Sequence, residues 1–296
     1  MVSRLLPLLA LLLGLQASCR PPAQPGFPVP ISVWCYLDLT GSNRERTALF
    51  DFARGNRIRE LFLGAHNDLK ADPLPMAALL QAAQDQGLAV SLVLGRDAWV
   101  QPELRSAALA EIRAIRDFTR AQRARGGATP SSLQLDVEPH TLPDWEQAWP
   151  RLGGQYLDLL EAIRAELQGE LPLWLDIPTW WDRRPIRHGG RTQSLETWAI
   201  ALSDRVIVMD YRNTPEKILA GAATALACGA RLHRPVTLGL AVHCDPDPDN
   251  ASTSFCRKGR RALNKAMTKV DAKLSGQPGY GGLALFTFED WRQLRP

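Results

Sequence analysis

From residue 31 onward, short apolar runs alternate with amphipathic stretches, and this rhythm narrows the fold more than any single motif. The candidate strands are Ile31–Asp38, Ile58–Gly64, Leu88–Gly95, Leu133–Glu138, Leu171–Ile177, Val206–Tyr211, Val236–His243 and Gly282–Phe288. Helical spacing fills the gaps, most clearly over Pro102–Arg123, Asp144–Leu167, Pro215–Cys228 and Gly259–Leu274. Repeated strand–helix units place their strands parallel in one sheet. About eight such units predict the α/β class and a closed (β/α)8, TIM-type barrel, for which about 250 residues is typical. An open, doubly wound sheet is the rival, but its dinucleotide-binding form expects Gly-x-Gly-x-x-Gly after the first strand, which is missing here. The chain ends soon after the last run, so the final helix is expected to be short or absent.

Alternate residues of a strand share a face. In Leu133-Gln-Leu-Asp-Val-Glu138, Gln134, Asp136 and Glu138 point one way and Leu133, Leu135 and Val137 the other. Two carboxyl groups at i, i+2 beside a barrel repel, so one tends to keep its proton near neutral pH, as a general acid must. The same parity gathers polar and aromatic groups at the other strand ends: Tyr36 and Asp38, Gly64 and His66, Gly95 and Asp97, Trp174 and Asp176, Met209 and Tyr211, Ala241 and His243, Phe286 and Phe288. Active sites of such barrels lie at these C-terminal ends. Trp180 and Trp181 follow the fifth run, as platforms for a sugar ring or as a hydrophobic lid. Glu289, after the last run, is a candidate substrate contact or a turn residue.

The fourth run, with Ser131, Gln134, Asp136 and Glu138, resembles the Asp-x-x-Asp-x-Asp-x-Glu pattern of the family-18 glycoside hydrolases, the chitinase-like barrels. The closing Asp-x-Glu is kept, and the two earlier Asp positions are Ser and Gln. Met209-Asp-Tyr-Arg212 is similar to that family's Met-x-Tyr-Asp, with Arg212 at the acidic place, and Leu283-Ala-Leu-Phe-Thr-Phe288 resembles its closing strand. The resemblance implies that Glu138 protonates the glycosidic oxygen, while Asp136 orients or stabilises a substrate acetamido group. It further implies that Tyr211 hydrogen-bonds that group, with Met209 packed below and the substrate's own carbonyl as nucleophile. Asp176 is a possible second carboxylate. Tyr36, Asp38, Trp180, Trp181, Arg212, His243, Phe286 and Glu289 are the further candidates for binding substrate.

The N-terminus reads as a targeting segment. Met1-Val-Ser-Arg4 is a basic start, and Leu5–Leu15 is an apolar run too short to span a bilayer. Leu15-Gln-Ala-Ser-Cys19 resembles a bacterial lipoprotein signal, which would leave residues 1–18 as signal peptide and lipidate Cys19. Cleavage near Ala17 or Ser18 in an ordinary secretory signal is the alternative. A Pro-rich tether, 19–30, then leads to one barrel domain, 31–296. The expected location is the bacterial cell envelope, with a membrane partner if Cys19 is lipidated. An oxidising compartment permits disulfides, and Cys244 and Cys256, flanking one polar loop, are the candidate pair.

A formal net charge of +4, scattered along the chain, argues against a nucleic-acid partner. The leading expectation is a cofactor-free glycoside hydrolase acting on a polysaccharide or amino-sugar glycan. A non-catalytic glycan-binding barrel with a degenerate site is the second. A metal-dependent hydrolase with Asp136, Glu138, Asp176 and His243 as ligands is the third, although no zinc spacing supports it.

Overall fold

The computed structural model describes residues 31–296 apart from 66, 67, 245 and 246. The segments expected to be signal and tether, Cys19 included, and His66 lie outside the described residues. Eight parallel strands close on themselves in the order β1-β10-β9-β8-β5-β4-β3-β2, which excludes the open sheet. They are β1 (Ile31–Cys35), β2 (Ile58–Gly64), β3 (Ala89–Leu94), β4 (Ser132–Leu135), β5 (Leu173–Pro178), β8 (Arg205–Met209), β9 (Val236–Ala241) and β10 (Tyr280–Phe286). A short antiparallel hairpin, β6 (Pro185–His188) and β7 (Arg191–Ser194), is inserted after β5. The chain closes with the short helix Phe288–Gln293, as expected.

The two faces of each strand have different company. Val33, Leu61, Leu133, Leu135, Val137, Leu238 and Leu240 join the layer between barrel and helices. The longest helix, Trp145–Leu167, presents Leu152, Tyr156, Leu159, Ile163 and Leu167 to this layer at helical spacing. Inside the barrel, Trp34, Phe62, Val93, Ile207 and Ala284 form a separate cluster, joined by Trp174 and Phe286. Below it lies a polar plug, in which Arg205 pairs with Glu60 at 3.2 Å and stacks over Trp174 at 4.4 Å. Ser32 also donates to Glu60, so both buried charges are paired and hydrogen-bonded. These contacts fill the barrel interior beneath the cluster.

Six strands stop earlier than their sequence runs: β1 ends at Cys35, β3 at Leu94, β4 at Leu135, β8 at Met209, β9 at Ala241 and β10 at Phe286. Tyr36, Asp38, Asp136, Glu138, Tyr211 and His243 thus lie on the first residues of the rim loops. Phe288 is a correction: it begins the final helix and is fully buried against Phe52, with ring centroids 5.3 Å apart.

Candidate active site

β3 and β4 set the position of the paired carboxylates. The Asp136 N–H donates to the Leu94 carbonyl at 3.0 Å, which carries the pairing one residue past β4. Gly95 makes this approach possible, since a Cβ there would stand 1.7 Å from the Asp136 carbonyl oxygen. One residue pair on, Asp97 accepts the Glu138 N–H at 2.8 Å and the Thr141 hydroxyl at 2.6 Å. Asp97 thereby clamps the turn Pro139–Thr141 that follows Glu138.

Asp136, Glu138 and Asp176 all line a cavity of about 570 Å³ at the rim. Trp34 and Phe286 belong to its apolar lining, and Tyr36, Trp180, Met209, Tyr211, Arg212 and His243 add to the wall. Asp176 is 1% exposed, and both its oxygens accept from Gln134 Nε2, at 2.9 and 2.8 Å. Gln134 is a neutral donor where another carboxylate would add a like charge to a buried pair. This is a physical reason for the departure from an all-acidic pattern.

The electrostatics follow from burial. Asp136 is pushed up to about 7, first by desolvation, then by the charges of Glu138 and Asp97. Asp176 is raised well above the usual carboxylate range, again by burial first and by Asp136 second. Protons are therefore held on this cluster near neutral pH, as expected for carboxylates two residues apart. Burial also raises Tyr211, which keeps its phenol as a hydrogen-bond donor. Tyr211 and Tyr36 flank Phe286, with centroids 6.0 and 5.9 Å away.

Glu138 has a second partner that the sequence did not suggest. His140 Nε2 stands 3.1 Å from Glu138 Oε2. The imidazole packs edge-on against Trp180 at 5.1 Å and Trp181 at 5.9 Å, so its orientation is fixed. Glu138 nevertheless keeps an exposed portion on the cavity wall.

Three sequence candidates are placed elsewhere. Trp181 is fully buried, packed on Tyr156 at 5.2 Å, so it supports the wall and offers no face to a sugar. Asp38 turns back on its own loop, accepting from the N–H groups of Thr40 and Gly41, and stays outside the cavity. Glu289 accepts the Tyr36 N–H at 2.7 Å and braces that residue from outside the cavity lining. The four groups considered as metal ligands do not converge either. Among the described residues, the one grouping of at least three such side chains with suitably close ligand atoms is Asp158, Glu161 and His188.

The Cys244–Cys256 disulfide forms, with Cα atoms 5.2 Å apart. It closes the loop from which Asn250 and Thr253 reach the cavity, neither of which was a sequence candidate for the site.

No protein-family model matches this chain, and no curated protein does. Solved structures do match. A GH18 chitinase from Pseudoalteromonas aurantia aligns with a TM-score of 0.57 at 12% identity, over 90% of this chain and 98% of that one. The endo-1,4-beta-D-mannanase of Thermotoga petrophila RKU-1 aligns at 0.58 and 11% identity, over 90% and 92%. The spore cortex-lytic enzyme SleL of Bacillus cereus aligns at 0.52 and 12%, over 89% and 73%. At such identities the likeness concerns the backbone. The structural neighbours of this chain are thus GH18 chitinases and other glycoside hydrolases, and it shares their closed eight-stranded (β/α)8 fold.

Proposed function

We propose that this protein is a glycoside hydrolase of the bacterial cell envelope, with Glu138 as the acid that protonates the departing glycosidic oxygen. The observation that carries the reading is the meeting of Glu138, Asp136 and Asp176 on one wall of the rim cavity, around a floor of aromatic rings. Such a floor suits the apolar faces of sugar rings. Glu138 is the carboxylate of the three with the most open access, and Asp136 and Asp176 hold protons beside it.

In this scheme the substrate's acetamido carbonyl attacks the anomeric carbon as Glu138 gives its proton to the leaving oxygen. Asp136 and Tyr211 orient that acetamido group through hydrogen bonds. Glu138, then ionised, takes a proton from the water that opens the intermediate, which restores the starting state. No second carboxylate at covalent-attack distance is required, because the nucleophile belongs to the substrate.

The test is Glu138→Gln, assayed for reducing ends released from chitin oligosaccharides and from cell-wall glycan. Turnover is expected to fall by about 10²–10⁴-fold with binding retained. Full hydrolysis by the variant would remove Glu138 from the acid role. A second reading, a glycan-binding barrel without turnover, draws on the His140 contact that engages one Glu138 oxygen. Binding by the wild type with no released reducing ends would favour it.

A further inference from the structure

The rim cavity has two chemically different arcs. β4 and the neighbouring β5 supply Asp136, Glu138 and Asp176. The adjoining β8 and β9, with the disulfide-closed loop, supply Arg212, His243, Asn250 and Thr253. Arg212 is the one Lys or Arg on the cavity wall among the described residues.

Strand parity alone would send residue 212 to the outer side with Asp210. Two tight turns reverse this. The Asp210 N–H donates to the Val208 carbonyl and the Arg212 N–H to the Asp210 carbonyl, both at 2.7 Å. Each links residues two apart, the span of a γ-turn. Asp210 stays fully buried, and Arg212 reaches the cavity wall.

Arg212 lies close enough to the buried Asp210 to lower its proton affinity, but neither Asp210 oxygen accepts a hydrogen bond from it. Arg212 Nη1 donates to the adjacent Tyr211 carbonyl at 3.0 Å, and Arg212 makes no ion pair among the described residues. Two acids of the other arc already have partners of their own: Asp176 accepts from Gln134, and Glu138 contacts His140. Asp136 and Asp176 also hold protons near neutral pH, which weakens the negative field that would oppose an anionic ligand. On the same arc, His243 Nδ1 is buried without a hydrogen-bond partner among the described residues. A planar guanidinium with spare donors is matched by a carboxylate, which it can hold through two parallel hydrogen bonds.

We infer that Arg212 selects an acidic saccharide, seating a sugar carboxylate on the β8–β9 arc while the neighbouring glycosidic bond lies at Glu138. This inference rests on the glycan-cleaving reading and names its substrate class. The carboxylate belongs either to a uronic acid or to a carboxylated ether on an amino sugar; the two present the same anion to Arg212.

The experiment is calorimetric titration of the full chain carrying Glu138→Gln, so that probes stay intact. The probes are chitotriose, trigalacturonate and the disaccharide of N-acetylglucosamine and N-acetylmuramic acid, at neutral pH and low salt. One of the two acidic probes is expected to bind about tenfold or more tighter than chitotriose, and the one that does identifies the source of the carboxylate. Adding Arg212→Gln should erase that preference, Arg212→Lys should restore part of it, and added salt should weaken it. Thermal melts verify that each variant is folded. Chitotriose binding as tightly as both acidic probes, or a preference that survives Arg212→Gln, overturns the inference and leaves the hydrolase reading standing. Binding of none of the three overturns both.

Discussion

Replacing Asp136 by Asn should make the protein more stable and less active, and the two effects should depart from each other with pH. The folded protein raises the proton affinity of Asp136 from the ordinary 3.8 to about 7, chiefly through burial. A group that binds its proton more tightly when folded adds most to stability below its ordinary pKa, and that contribution is lost as pH rises through the folded value. At about 1.4 kcal/mol for each tenfold change in proton affinity, the ionised carboxylate costs about 4 kcal/mol above pH 7. Asparagine has the same shape and never ionises. In urea unfolding from pH 4 to pH 9, the stability gained by Asp136→Asn is expected to be near zero at pH 4. It should grow between pH 4 and 7, then level off at about 4 kcal/mol. Asp176, Glu196 and Asp210 are raised in the same direction, so the wild type alone mixes several groups, and the difference between the two proteins isolates this one. Over the same range, turnover should fall by about 10²-fold or more if Asp136 orients the reacting group. A stability difference that does not change with pH would refute the burial argument.

Gly95→Ala should destabilise the fold by about 3 kcal/mol in denaturant unfolding, because the added Cβ collides with the Asp136 backbone and pushes β3 from β4. His140→Ala should lower kcat by about tenfold with KM little changed, a loss of about 1.4 kcal/mol of transition-state stabilisation, and His140→Gln should recover much of it, since the amide nitrogen can stand in for Nε2. An unchanged kcat for His140→Ala would make the contact incidental. Removing the Cys244–Cys256 bridge by a double Ser substitution should cost about 2–3 kcal/mol from its short loop, and should raise KM as Asn250 and Thr253 loosen.

The barrel and much of its rim were legible because strand parity holds along each strand. Asp136, Asp176, Met209 and Phe286 follow it onto the cavity wall, while Leu135, Val137 and Leu240 follow it into the layer beneath the helices. Past the strand ends that rule persists for a few residues, as at Tyr36, Asp136, Glu138, Tyr211 and His243, and then fails. Asp38 folds back on its own turn, Trp181 sinks into the core against Tyr156, and the tight turns after Met209 bring Arg212 to the cavity against its parity. The Asp97 clamp and the His140 contact join loops through tertiary structure, and no spacing announces such a pairing. Asp97 did carry one signal, its place just after the third run. Gln134 was legible as a member of the inward row and as a departure from an acidic pattern, and its donation to both oxygens of Asp176 supplies the reason.

Cleavage at this rim requires a sugar chain to lie with its glycosidic bond at Glu138. A crystal structure of the Glu138→Gln protein soaked with an oligosaccharide measures this directly. The expected result is a glycosidic oxygen within about 3 Å of the side-chain amide at position 138, with sugar rings over Trp34 and Phe286. An oligosaccharide bound on the outer helices, or a rim cavity that stays free of sugar at saturating ligand, would contradict it.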